Sequence, residues 1–170
     1  MNIETLEDEF GYQLQRAYYV ERAHVELLAE MAADAATDDL ASRFETHRDE
    51  TERHVERLER VFEELGRQPR ATRSQTADGL AESRRTRFDG ADGESPPTYV
   101  DLEIGLAAER LEIRSYEGLL ALAGRLAYAD DIVEPLEETL EEERATLGKL
   151  EALEMELSIV DSLETGHTEQ

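Results

Sequence analysis

Four long stretches of this 170-residue chain repeat apolar residues at helical spacing, and in three of them the centre of the apolar stripe is a glutamate. The first stripe is Phe10, Leu14, Ala17, Glu21, Val25 and Leu28. The third is Gly105, Ala108, Glu112, Ser115, Leu119, Ala123 and Leu126, and the fourth is Leu136, Leu140, Glu143, Leu147, Leu150 and Leu157. The second runs through Leu40, Phe44, Thr51, Val55, Leu58, Phe62 and Leu65, with His47 and His54 on or beside the stripe and Glu50 at its edge. Such a pattern demands helices that bury one face each. It also demands an explanation for the carboxylates, because an unpaired buried ion costs several kcal/mol even after relaxation.

The boundaries between these stretches set the connectivity. The first helix is expected over about 4–33 and a short connection over 34–39, with Thr37 as the cap of the second helix and Asp38 and Asp39 in its first turn. Gly66 stops the second helix after Leu65, and Pro69 follows it. A long connection over 67–97 contains one short helix, about 76–88, and then turn residues from Asp89 to Pro97. The third helix is expected over 98–127, a turn over 128–131, the fourth helix over 132–159, and a polar tail over 161–170 that includes His167. Pro135 is tolerable because it falls in the first turn of the fourth helix. Short turns make antiparallel hairpins, and one long crossover between two hairpins is the connectivity of ferritin-like four-helix bundles. The expected fold is therefore all-α, one bundle domain over 1–160 followed by the tail.

Charge and composition narrow the function classes. The chain has 42 acidic residues against 18 basic ones, a net charge of −24, and its only lysine is Lys149. That balance resembles the proteins of extreme halophiles and argues against nucleic acid or anionic membrane as a partner of the whole surface. Without cysteine there is no disulfide, thiolate site or thiol catalysis. The first residues lack a basic segment followed by an apolar run, and no apolar stretch reaches 18 residues, so a soluble, cytoplasmic protein is expected. The crossover holds Arg67, Arg70, Arg73, Arg84, Arg85 and Arg87 without interleaved aromatics, which fits a strap that neutralises the acidic bundle.

Two imidazoles and a carboxylate within two turns of one helix face are the group types a transition metal takes. On the first helix Glu21 and His24 have the i, i+3 spacing that lets two side chains meet one ion. Across the first turn Glu21 and Glu50 are equidistant from its centre, as are His24 and His47, so carboxylates are expected to pair in one layer and imidazoles in the next. Glu112 and Glu143 are nearly equidistant from the second turn, with Glu109 one turn before Glu112 and Tyr116 one turn after. Glu141 and Glu142 are expected to be solvated. Arg22, Arg53, Arg110 and Arg144 each adjoin a candidate ligand and so point about 100° away from it. Either a metal, or carboxylates that are protonated or Arg-paired, must fill the centre.

Several segments, in order, resemble the YciE/YciF group of ferritin-like stress proteins. They are Ala17-Tyr18-Tyr19-Val20-Glu21-Arg22, His47-Arg48-Asp49-Glu50-Thr51 with Val55-Glu56-Arg57-Leu58, Glu109-Arg110-Leu111-Glu112-Ile113 with Ser115-Tyr116, and Glu138-Thr139-Leu140-Glu141-Glu142-Glu143 with Ala145. The resemblance implies a four-helix bundle, dimerisation and a dinuclear iron-type site of Glu21, His47, Glu50, Glu109, Glu112 and Glu143, to which the residue pattern adds His24 and His54. The usual ferritin-like pattern is Glu-x-x-His on helices two and four. Here the second helix has His47-x-x-Glu50, the reverse order, and the fourth has Glu143-x-x-Thr146, with no histidine. Three functions are open to such a chain. It is a metal-dependent oxidoreductase that oxidises iron or consumes peroxide, a metal-binding protein with little turnover, or a metal-free structural stress protein whose bundle serves dimerisation. Iron is the expected metal, with Mn or Zn as alternatives, and the missing histidine favours binding over turnover.

Overall fold

The computed structural model describes residues 3–89 and 97–165. They form five helices and no strand: α1 (Leu6–Asp34), α2 (Asp38–Glu64), α3 (Gln75–Asp89), α4 (Pro97–Leu126) and α5 (Asp130–Thr165). Local chemistry sets the ends. Thr5 caps α1 in a reciprocal box with Asp8, and the Thr37 hydroxyl accepts from the Leu40 N–H at the start of α2. Gly66 takes φ of 65° after α2, a conformation open to glycine, and the Arg67 N–H reaches back to the Phe62 carbonyl. At the end of α4 the same left-handed turn falls on Ala127, φ 51°, and the Tyr128 N–H bonds to the Ala123 carbonyl. α5 continues past 159 to Thr165, into the stretch expected to be tail, since no helix-stopping residue occurs before Gly166. His167 and the expected turn residues 90–96 lie outside the described residues.

Helix α1 packs on α2 and α4 on α5, and the two hairpins join through α1 against α4 and α2 against α5. The short α3 lies on α4 and α1. The Thr72 N–H bonds to the Gln15 carbonyl at 3.0 Å and ties the crossover to α1. Three crossover arginines then meet bundle acids, while Arg73 pairs with Asp78 of α3 itself. Arg84 is buried, with Nε 2.6 Å from Asp101 and Nη2 3.1 Å from Asp34, its guanidinium 4.1 Å over the Phe88 ring. Arg85 pairs with Glu30 and Arg87 with Glu103.

The apolar core has two parts. One holds Phe10, Leu14, Tyr18, Leu58, Phe62, Tyr116, Leu119 and Leu136, and the other Leu27, Leu28, Met31, Val100 and Ile104. On each of α1 and α4 the polar residues Glu21 and His24, or Glu109 and Glu112, fall between the two parts along the chain. Buried Glu143 follows the first part on α5. Thus the core is interrupted by one polar layer. No helix of the described residues is long and apolar enough to cross a membrane.

Candidate metal centre

Seven side chains make this layer: Glu21 and His24 from α1, His47 and His54 from α2, Glu109 and Glu112 from α4, and Glu143 from α5. All but His47 are 3% exposed or less, and His47 is 13% exposed. Their ligand atoms fall into three groups in which every atom lies within 4.8 Å of the others: His24, His47 and Glu109; Glu21, His54 and Glu143; Glu109, Glu112 and Glu143. His47 Nε2 is 3.2 Å from Glu109 Oε1, and His24 Nε2 is 4.0 Å from the same oxygen. The two rings stand edge to face with centroids 5.1 Å apart. His54 Nδ1 lies 2.8 Å from Glu143 Oε1 and 3.7 Å from Glu21 Oε2.

Proximity here is not hydrogen bonding. Nine side-chain atoms of these seven residues are buried with no aligned partner, and among the described residues the one further such atom is Arg48 Nε. Both oxygens of Glu109 and both of Glu143 are in this state. His54 Nδ1 and Glu143 Oε1 are close, but the contact is misaligned for an N–H donor. Native interiors rarely leave such atoms unpaired. Nitrogen and oxygen atoms that converge in this way could hold a metal ion.

Burial sets the electrostatics. It drives Glu109 and Glu112 well above the usual carboxylate range, and the neighbouring glutamates push them further. Glu21 is raised chiefly by burial, with His54 opposing. His47 falls to about 3, through burial and then through His24. Burial also works against charge on His54, but Glu143 and Glu21 prevail and push it up to about 11. Without a cation the layer therefore collects protons on Glu109 and Glu112 and a positive charge on His54.

Residues 5–160 match the family described as a domain of unknown function, DUF892. This chain belongs to the DUF892 family. It is 30% identical over 151 residues to protein YciF of Escherichia coli K12, covering 88% of this chain and 90% of that one. The solved structure of the E. coli stress protein YciF matches with a TM-score of 0.80 at 30% identity, over 89% of this chain and 95% of that one. YcfI of Rhodopseudomonas palustris, described as a candidate structural protein, matches with a TM-score of 0.82 at 31% identity, over 88% and 95% of the two chains. A Xanthomonas campestris protein shares the fold, with a TM-score of 0.72 at 24% identity over 96% of this chain and 99% of that one. These matches are consistent with a ferritin-like helical bundle.

In this DUF892 chain a further ring of residues orients the layer. The Tyr116 hydroxyl donates to Glu21 Oε1 at 2.5 Å. His24 Nδ1 is 2.8 Å from Glu112 Oε1, and a proton there leaves Nε2 free to face Glu109 and His47. His54 Nε2 is 2.8 Å from Glu142 Oε2, and a proton there leaves Nδ1 facing Glu21 and Glu143. Glu142 is not solvated as its sequence position suggests. Arg57 grips both its oxygens, at 2.6 and 2.9 Å, and with burial opposing and His54 assisting this holds its carboxyl down at about 2. Arg57 comes from α2 and Glu142 from α5, so no local pattern in either helix announces the pair.

The expected pairing of layers holds for His24 with His47 but not for Glu21 with Glu50. His54 faces Glu21 instead. Glu50 is half-buried, with Oε1 3.9 Å from Arg53, and joins none of the three groups. The reason is rotation. His47 and His54 are seven residues apart and differ by about 20° around the helix, whereas Glu50 lies about 60° from His47. The three histidines all come from the first hairpin, and each His-bearing group takes a carboxylate from the second, Glu109 or Glu143. Thr146 is buried and borders the His24 and His47 side.

Proposed function

We propose that this protein binds transition-metal ions, iron foremost, in the core of a ferritin-like bundle and serves a stress response as a metal-handling homodimer. The observation that carries this reading is the set of nine unpartnered N and O atoms converging in one buried layer. His24, His47 and Glu109 would hold one ion, and Glu21, His54 and Glu143 a second, with Glu109, Glu112 and Glu143 as candidates to lie between them. A bound ion supplies Lewis acidity and, for iron, one-electron chemistry. The chain's own residues do the rest. Tyr116 orients Glu21, the Glu142–Arg57 pair orients His54, and the packed core keeps water from the Glu21, His54 and Glu143 side of the layer.

A metal-free structural reading draws on one specific feature: His54 held protonated between Glu21 and Glu143 supplies part of the charge a metal would supply. Metal analysis of purified protein, followed by oxygen uptake on adding Fe²⁺, separates the readings. Stoichiometric metal with slow uptake supports a metal-handling protein, fast uptake makes it an oxidoreductase, and no binding by Fe²⁺, Mn²⁺ or Zn²⁺ leaves the structural bundle.

A further inference from the structure

A cavity of about 290 Å³ opens on the surface between α1, α2, α4 and α5 and runs down to His24 and His47. That volume is near the small end of ligand pockets, roughly 300–1,000 Å³. Most of the surface it exposes is apolar, with Leu28, Met31, Phe44 and Leu150 contributing, Ser42, Thr46 and Thr98 are among its polar groups, and its rim includes exposed Lys149. At the floor, His24 is 3% exposed and its Nε2 has no hydrogen-bond partner.

We propose that this cavity binds an amphiphilic anion, a medium-length apolar chain ending in a carboxylate, with the chain along the apolar walls and the head group beside Lys149. Three observations select that chemistry. Phe44 and Leu150 are only half-buried, so an apolar chain seated on them gains by leaving water. Lys149, the only lysine of a chain carrying −24, lines the cavity and makes no ion pair among the described residues. The other basic side chain at the cavity, Arg43, is already paired with Asp39 at 2.8 Å. Each acid of the lining already has an arginine beside it, Asp39 with Arg43, Asp101 with Arg84 and Glu50 with Arg53. A small polar anion leaves the apolar part of the walls uncovered, and a neutral chain leaves Lys149 unused. His24 and His47 at the floor belong to a ligand group, whereas the apolar wall residues and Lys149 belong to none, so binding is expected with and without metal.

The test is calorimetric titration of the full chain with sodium decanoate below its micelle-forming concentration, on chelator-treated and metal-loaded protein. Decanol and decyltrimethylammonium serve as neutral and cationic comparisons. One saturable decanoate site is expected, tighter than either comparison. Lys149→Glu should weaken it by roughly five- to tenfold, the scale of losing and reversing one partly exposed charge contact. Arg114→Glu, the same charge change on an exposed residue elsewhere, should leave it unchanged. Leu153→Trp, which fills the cavity from α5, should abolish it while the helical circular-dichroism spectrum is retained. Absence of a decanoate site, equal binding of decanol, or equal weakening by Arg114→Glu would overturn the proposal. Failure of metal binding with decanoate binding intact would strike only the function proposed above.

Discussion

Tyr116 on α4 and Glu21 on α1 share a 2.5 Å hydrogen bond in the fully enclosed middle of the bundle. The phenol is held well above its usual range by burial and by the adjacent Glu21 carboxylate, so it stays a donor. Tyr116→Phe keeps the ring but leaves Glu21 Oε1 without its donor. The expected cost is about 1–3 kcal/mol, the usual penalty for an orphaned buried polar group. Denaturant unfolding of metal-free protein measures it, and a variant as stable as the parent would show that the hydroxyl does not hold Glu21.

Glu109 reports metal by the sign of a substitution. Both its oxygens lack partners, and it belongs to two of the three ligand groups. In chelator, Glu109→Leu removes an uncompensated acid from the core and should be neutral or stabilising by about 1–4 kcal/mol. With Fe²⁺ or Mn²⁺ at about a hundred times the dissociation constant, the parent gains about 2.7 kcal/mol of linked stability that the variant loses. Glu143→Leu is the blunter probe, because it also strips His54 of one of the two carboxylates that lie 2.8 Å from it. Indifference of Glu109→Leu to metal would remove the metal reading.

Metal loading should release protons. Glu109 and Glu112 are raised well above the carboxylate value of 4.5 and His54 to about 11, so the metal-free layer is protonated where a metal would bind. Such groups contribute stability that is present below their unfolded values and lost as pH rises through their folded ones. His47, depressed to about 3, acts oppositely and adds stability as pH rises from about 3 to 6.5. Above pH 6.5 the shifts that still titrate in the layer have one sign. Metal-free protein should lose stability as pH climbs, while metal affinity increases. Calorimetry in buffers of different ionisation enthalpy counts the protons, and zero release would contradict this account.

The two His-bearing groups should load unequally. One offers two imidazoles and a carboxylate, the other one imidazole and two carboxylates. Borderline ions such as Co²⁺ should fill the first before the second. In an anaerobic Co²⁺ titration followed by absorbance, His47→Ala should erase the first step. Glu142→Ala, which releases His54, should weaken the second by roughly 10–100-fold. A single step insensitive to both would reject the two-position arrangement.

Salt should stabilise the fold. A net charge of −24 repels itself at low ionic strength, and ions screen it. The thermal midpoint should climb by many degrees between dilute buffer and molar KCl. A flat midpoint would mean that pairs such as Arg84–Asp101 and Arg85–Glu30 already absorb the repulsion.

Helices and their ends were legible in the sequence because they depend on residues a few positions apart: Thr37 capping α2, Gly66 ending it, and the 3.6-residue stripes between. Glu21, Glu112 and Glu143 stood out for the same reason, each a carboxylate in a slot its own helix reserves for leucine. Partnership across helices is different. It turns on the rotation and axial offset of each helix against its neighbours, which the packing of the whole core sets. Hence only the tertiary structure brought His54 rather than Glu50 to Glu21, bound Glu142 to Arg57, and buried Arg84 against Asp101. It also opened the cavity beside His47, where side chains of four helices fail to meet and no single stripe records the gap.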